Sequence, residues 1–192
     1  MVTNIVIIVA VLILLGVYVS WRAGRLDRLH TRLEAGRAAL DATLVRRSSV
    51  ALELASSGFL DPATSLLLAD AAHDARGGGH SGDAERSREL AESDLSRALR
   101  AAFAQPDFRA SLIGQDGADE LLAELESAAH QVFLARKFYN DAVAVTRAAR
   151  AKPLAQVLRL AGGAELPEFF EIDDSLVAEG SGGGADMQRL AG

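Results

Sequence analysis

Twenty residues without a charge, Val2 to Trp21 (VTNIVIIVAVLILLGVYVSW), are followed at once by Arg22, Arg25 and Arg28, and no other feature constrains the chain as strongly. At about 1.5 Å of rise per residue, a helix of this length spans about 30 Å, the thickness of a bilayer's hydrocarbon core. In lipid every backbone N–H and C=O needs an internal partner, which a helix supplies within one segment. Tyr18 and Trp21 fall where amphipathic rings favour the membrane–water interface. A secretory signal peptide is the competing reading. It calls for a positive stretch before the apolar core and a small-x-small cleavage site after it, whereas here only Thr3 and Asn4 precede the core and Ser20, Trp21 and Arg22 follow it. A buried core helix would carry a polar stripe, which this run lacks. The expectation is an uncleaved, single-pass anchor in membrane lipid through residues 2–21, with the N-terminus outside and residues 22–192 cytoplasmic, because positive charge stays on that side.

The remaining length allows one modest domain. Cysteine is absent, which excludes disulfides and thiolate metal or redox sites. The net charge of −6 conceals an asymmetry. Residues 22–57 hold seven arginines against Asp27, Glu34, Asp41 and Glu53, giving +3, while residues 173–192 hold four acids against Arg189, giving −3. The basic end lies nearest the membrane, where each arginine contributes about 1 kcal/mol if it is within a Debye length of anionic lipid. Nucleic acid is not an expected partner, since the chain is acidic and has no basic, aromatic-interleaved patch.

Beyond the anchor the apolar period is helical. Leu26, Leu29, Leu33, Leu40, Leu44 and Leu54 form one stripe on a helix continuing to about Ser57 and stopping at Gly58. Asp61 before Pro62 reads as an N-cap, opening a second helix that carries Leu66, Leu67, Leu68, Ala71 and Ala72 to about Arg76. GGGHSG (Gly77 to Gly82) reads as a flexible break. A third helix from about Asp83 to Ala104 turns Leu90, Leu95, Leu99 and Phe103 inward, and QPDF (Gln105 to Phe108) turns the chain. After Gly117 a fourth helix uses Leu121, Leu125, Val132, Tyr139 and Val143 and ends near Lys152, before Pro153. The predicted fold is all-α: a transmembrane helix (1–21), an antiparallel four-helix bundle (22–153), an extension (154–174) packing Leu158, Phe169 and Phe170 on one end, and a disordered tail (175–192) that includes GSGGGAD.

ARKFYNDAV (Ala135 to Val143) resembles the most recognisable motif of LemA family proteins, and LDATLVRR (Leu40 to Arg47) resembles that family's Ile-Asp-x-x-Leu-x-Arg-Arg segment. QPDFRA (Gln105 to Ala110) is similar to its Tyr-Pro-Asp-Leu-Lys-Ala turn, and ELPEFFEID (Glu165 to Asp173) to its aromatic, acidic ending. The resemblance covers residues 22 to about 173 and implies a membrane-tethered, elongated helical bundle with no established catalytic activity. The chain departs from the family at Ser48 to Leu52, where an Asp-Leu-Ile-Pro-Asn run is usual, and at Val145 to Arg147, which replace a later Tyr-Asn pair. The absent proline removes one source of a helix kink.

The candidate site residues follow from these segments: Asp41, Arg46 and Arg47 in the first helix, and Arg136, Phe138, Tyr139, Asn140 and Asp141 in the fourth. Two readings stand side by side. In one, Tyr139 is a core aromatic with a partnered hydroxyl, Asn140 bonds a neighbouring helix, Arg136 pairs with a carboxylate and Asp41 pairs with Arg46 or Arg47. In the other, the fourth-helix motif is an exposed recognition patch.

No catalytic, cofactor or metal residues are expected. His30, His73, His80 and His130 are scattered, with no His-x-x-x-His or Glu-x-x-His pair to aim two ligands at one metal. GGGHSG lacks the Lys and Ser or Thr of a phosphate loop, and no Gly-x-Ser-x-Gly elbow occurs. Gly79 and Glu85 match the first spacing of a Nudix box, but its metal-binding glutamates are missing from Ser93 to Ala98. Three function classes remain: a scaffold or adaptor presenting one face to a membrane or cytoplasmic protein partner, a lipid-surface structural protein whose basic first helix lies on anionic headgroups, and an unrecognised hydrolase.

Overall fold

The computed structural model describes residues 2–77, 84–105, 108, 112, 114–151 and 166–173, and within these it contains helices and no strand. The helices are α1 (Val2–Ser56), α2 (Pro62–Gly77), α3 (Ala84–Phe103) and α4 (Ala118–Arg150). Leu158, Gly180 to Asp186, most of GGGHSG and half of QPDF lie outside the described residues.

Local chemistry sets the helix ends. At the end of α1 the Ser57 hydroxyl donates to the Leu54 carbonyl (2.7 Å) and accepts from the Phe59 amide (3.2 Å). Gly58 follows with φ of 81°, a left-handed conformation that glycine adopts without a Cβ penalty. Asp61 caps α2, its Oδ1 accepting from the Ala63 and Thr64 amides at 3.0 and 3.1 Å. Hydrogen bonds from Thr64 and Ala63 hold the Asp61 carboxyl below its ordinary value. Asp119 and Glu120 in the first turn of α4, and Arg147 and Arg150 in its last, complement the helix dipole.

The chain divides into two compact units. The larger comprises Ala38–Lys137 and Phe170–Gly192, and its core gathers Leu54, Leu68, Leu95, Leu99, Phe108 and Leu125, with α2 packed against α3. The smaller comprises Met1–Arg37 and Phe138–Phe169, and buries Tyr139, Val143 and Thr146 on α4. The apolar stretch Val2–Trp21 belongs to this unit, is long and apolar enough to cross a membrane, and has no residue buried within the protein.

Three inward assignments are corrected. Leu66 and Leu67 on α2 are exposed at 71 % and 68 %, and Leu90 on α3 at 60 %. The buried line on α2 is Leu68, Ala72 and Ala75, spaced four and then three residues, and a helix turns only one arc of about 100° inward. Three consecutive leucines span twice that arc. On α3 the buried line runs through Glu92, Leu95, Ser96, Leu99 and Ala102, and Leu90 is off its period. Phe170 is fully buried, and Phe169 is 39 % exposed.

Candidate functional site

In the larger unit the charged residues of α1 bond to other helices. Arg88 Nη1 donates to Asp41 Oδ1 at 2.8 Å, and Arg46 Nη2 to Glu124 Oε1 at 3.0 Å. Arg47 is completely buried, with Nη2 donating to Glu92 Oε2 (2.5 Å) and the Glu92 carbonyl (3.1 Å), and Nη1 to Ser96 Oγ (3.0 Å). The expected pairing of Asp41 with Arg46 or Arg47 is therefore overturned. On one helix only residues three or four apart face each other, and these are five and six apart.

Burial raises the Glu92 carboxyl above its ordinary value of 4.5, and the pull of Arg47 only partly offsets that desolvation. Among the described residues, Arg47 Nε and Glu92 Oε1 have no hydrogen-bond partner. Such a pair has no access to a substrate, and its chemistry is that of a polar core contact. A charged residue recurring on the period of Leu95 and Leu99 was the available sequence signal for Glu92.

In the smaller unit the fourth-helix motif divides. Tyr139 is 4 % exposed, and its hydroxyl donates to the Glu168 carbonyl at 3.1 Å. The Arg37 guanidinium lies 5.6 Å from the centre of its ring. Gly36 lies beside it, so close that a Cβ there would sit 3.6 Å from Tyr139 Cα. Phe138, one residue earlier, is 68 % exposed, Asp141 is exposed and Asn140 half-buried. Adjacent residues on a helix differ by about 100° in direction, so neighbouring aromatics have opposite environments. Arg136, at the adjoining end of the larger unit, is half-buried.

Of the extension 154–174, expected to pack Leu158, Phe169 and Phe170 on one end, residues 166–173 make backbone contacts that are just as prominent as those of the rings. In the smaller unit Arg147 Nη1 donates to the Pro167 carbonyl at 3.3 Å and covers the Phe169 ring at 5.5 Å. In the larger unit the Glu171 amide donates to Glu89 Oε1 at 2.7 Å and the Asp173 amide to Ser93 Oγ at 3.2 Å, while Arg100 pairs with Asp173. Glu89, Ser93 and Arg100 share one face of α3, a polar row that periodicity reads simply as solvated surface.

Among the described residues no three His, Asp or Glu side chains come together as a metal would require. No family model, curated protein or solved structure matches the chain.

Proposed function

We propose that this is a membrane-anchored helical scaffold or adaptor of the LemA type, an antiparallel four-helix body that presents a cytoplasmic surface to a protein partner and carries out no catalysis. The observation that carries the reading is the division of the ARKFYNDAV motif: Tyr139 is committed to packing, whereas Phe138 beside it places a large ring in solvent. An exposed phenylalanine forgoes the favourable free energy of burial until something covers it, and aromatic residues are enriched at protein interfaces. The apolar helix Val2–Trp21 supports the tether, and Arg22, Arg25 and Arg28 support the cytoplasmic orientation.

The test is a photo-crosslinking amino acid at position 138, introduced into the full chain in intact membranes, with Phe138→Ala as the companion variant. A discrete crosslinked protein, lost on competition with the untagged chain, together with an unchanged melting curve for Phe138→Ala, is the expected result. Crosslinks to lipid alone would remove the adaptor reading.

A further inference from the structure

Resting on the anchor reading above, we infer that α1 carries an anionic-lipid headgroup site at the point where it leaves the membrane, formed by Arg25 and Arg28 beneath Trp21, with Arg32 at its outer edge. Tyr18, Trp21, Arg25, Arg28 and Arg32 are spaced three, four, three and four residues apart, so they share one face of α1. Trp21, Arg25, Arg28 and Arg32 are exposed, and Tyr18 is 40 % exposed. Arg25, Arg28 and Arg32 line a concavity with Leu29, Thr31 and Ala35, and among the described residues no hydrogen bond or ion pair engages their guanidinium groups. The acids of the same stretch lie elsewhere: Asp27 and Glu34 are on the opposite face, and Glu34 faces His30 at 3.4 Å. The helix is thus sorted by charge, and its basic face is the one that continues the interfacial aromatics.

Geometry ranks the three arginines. If Trp21 marks the interface, Arg25, Arg28 and Arg32 stand about 6, 10 and 16 Å further along an upright helix. The Debye length in physiological salt is about 8 Å, and helical side chains lean toward the N-terminus, here toward the membrane, so the guanidinium groups of Arg25 and Arg28 come within reach of the surface charge and that of Arg32 feels it weakly. A guanidinium offers a planar fork of donors matched to two phosphate oxygens, the group that anionic phospholipids present at this depth. Arginines placed only to orient the helix would satisfy the same positive-inside rule without selecting any lipid, which is what the test must separate.

Trp21 is the single tryptophan, so it reports on the site directly. The full chain is reconstituted in phosphatidylcholine vesicles holding a small fraction of headgroup-labelled phosphatidylglycerol or, separately, equally labelled phosphatidylcholine, and energy transfer from Trp21 to each label is measured. The expected result is stronger transfer to the anionic label. Arg25→Gln and Arg28→Gln should each weaken the lipid's apparent affinity about fivefold, Arg25→Lys and Arg32→Gln distinctly less, and salt near 1 M should erase the preference. Equal transfer to both labels from an interfacial Trp21, or a preference indifferent to Arg25→Gln and Arg28→Gln, would overturn the site and leave the anchor standing. Trp21 emission like that in water, with the chain failing to float with vesicles, overturns the anchor and the site together. Loss of the preference on adding millimolar inorganic phosphate at constant ionic strength would reassign the arginines to free phosphate.

Discussion

At the scale of single residues, the Arg47–Glu92 contact gives an asymmetric expectation. Burial raises the Glu92 carboxyl, so the folded chain holds that proton more tightly than the unfolded chain does. Stability from protonated Glu92 is fully present below the ordinary 4.5 and is lost as pH rises through the raised value. The neutral isostere should then be tolerated: Glu92→Gln is expected to change stability by less than about 1 kcal/mol at neutral pH, and to gain on the natural chain as pH rises through that window. Removing the cation is different. Arg47→Ala empties the volume of a buried side chain and strips Glu92 and Ser96 of their donor, and should cost about 3 to 5 kcal/mol, while joint replacement with Arg47→Met and Glu92→Leu should be neutral or stabilising. Chemical denaturation of the four chains across pH checks the series, and a cost of several kcal/mol for Glu92→Gln would mean that the pull of Arg47 wins. Tyr139 belongs to the same scale: Tyr139→Phe should cost about 1 kcal/mol through the lost bond to Glu168, and Tyr139→Ala about 3 to 5 kcal/mol through the cavity.

Among the helices, the signals that are local in sequence were readable. Gly58, Asp61 with Pro62, and Gly117 punctuate the chain, and the observed ends fall within two residues of those expected because caps are chosen by neighbouring backbone groups. The inward face was readable only where apolar residues held one period, as along Leu40 and Leu44 or Leu125, Val132, Tyr139 and Val143. It is not readable at Leu66, Leu67 and Leu90, which are hydrophobic but off the buried period. The ion pairs are not readable for a related reason: Asp41, Arg46 and Arg47 are near one another in sequence, but their partners Arg88, Glu124 and Glu92 lie on other helices, whose register is not encoded locally. The burial pattern makes a prediction for α2. Leu68→Ala should destabilise by about 2 to 5 kcal/mol, whereas Leu66→Ala and Leu67→Ala should stay within about 0.5 kcal/mol. Thermal melts of the three variants check this, and similar costs would mean that the exposed pair is covered.

For the molecule as a whole, each unit takes its own part of the stretch 166–173: Pro167 and Glu168 give backbone carbonyls to Arg147 and Tyr139 in the smaller unit, and Glu171 and Asp173 give backbone amides to Glu89 and Ser93 in the larger. Phe170 is the apolar anchor of this segment, so Phe170→Ala should cost about 3 to 5 kcal/mol and speed hydrogen exchange in the larger unit, an effect that exposed Phe169→Ala should not reproduce. The largest expectation is topological. A lipid-spanning helix is oriented by the arginines and lysines within about 15 to 20 residues of its ends, and here Arg22, Arg25, Arg28, Arg32 and Arg37 all follow Val2–Trp21 while no charged side chain occurs within it. Drawing these arginines across the bilayer against the membrane potential would be opposed at about 2.3 kcal/mol per charge for each 100 mV, so the helical body should remain cytoplasmic. A C-terminal reporter that is active only in the cytoplasm should therefore work, and its counterpart that is active only outside should not. Replacing Arg22, Arg25 and Arg28 with glutamine should shift the population toward the inverted form without altering the fold of the body. Activity of the outside reporter on the natural sequence, or a mature chain beginning after Ser20, would overturn the orientation and the uncleaved anchor at once.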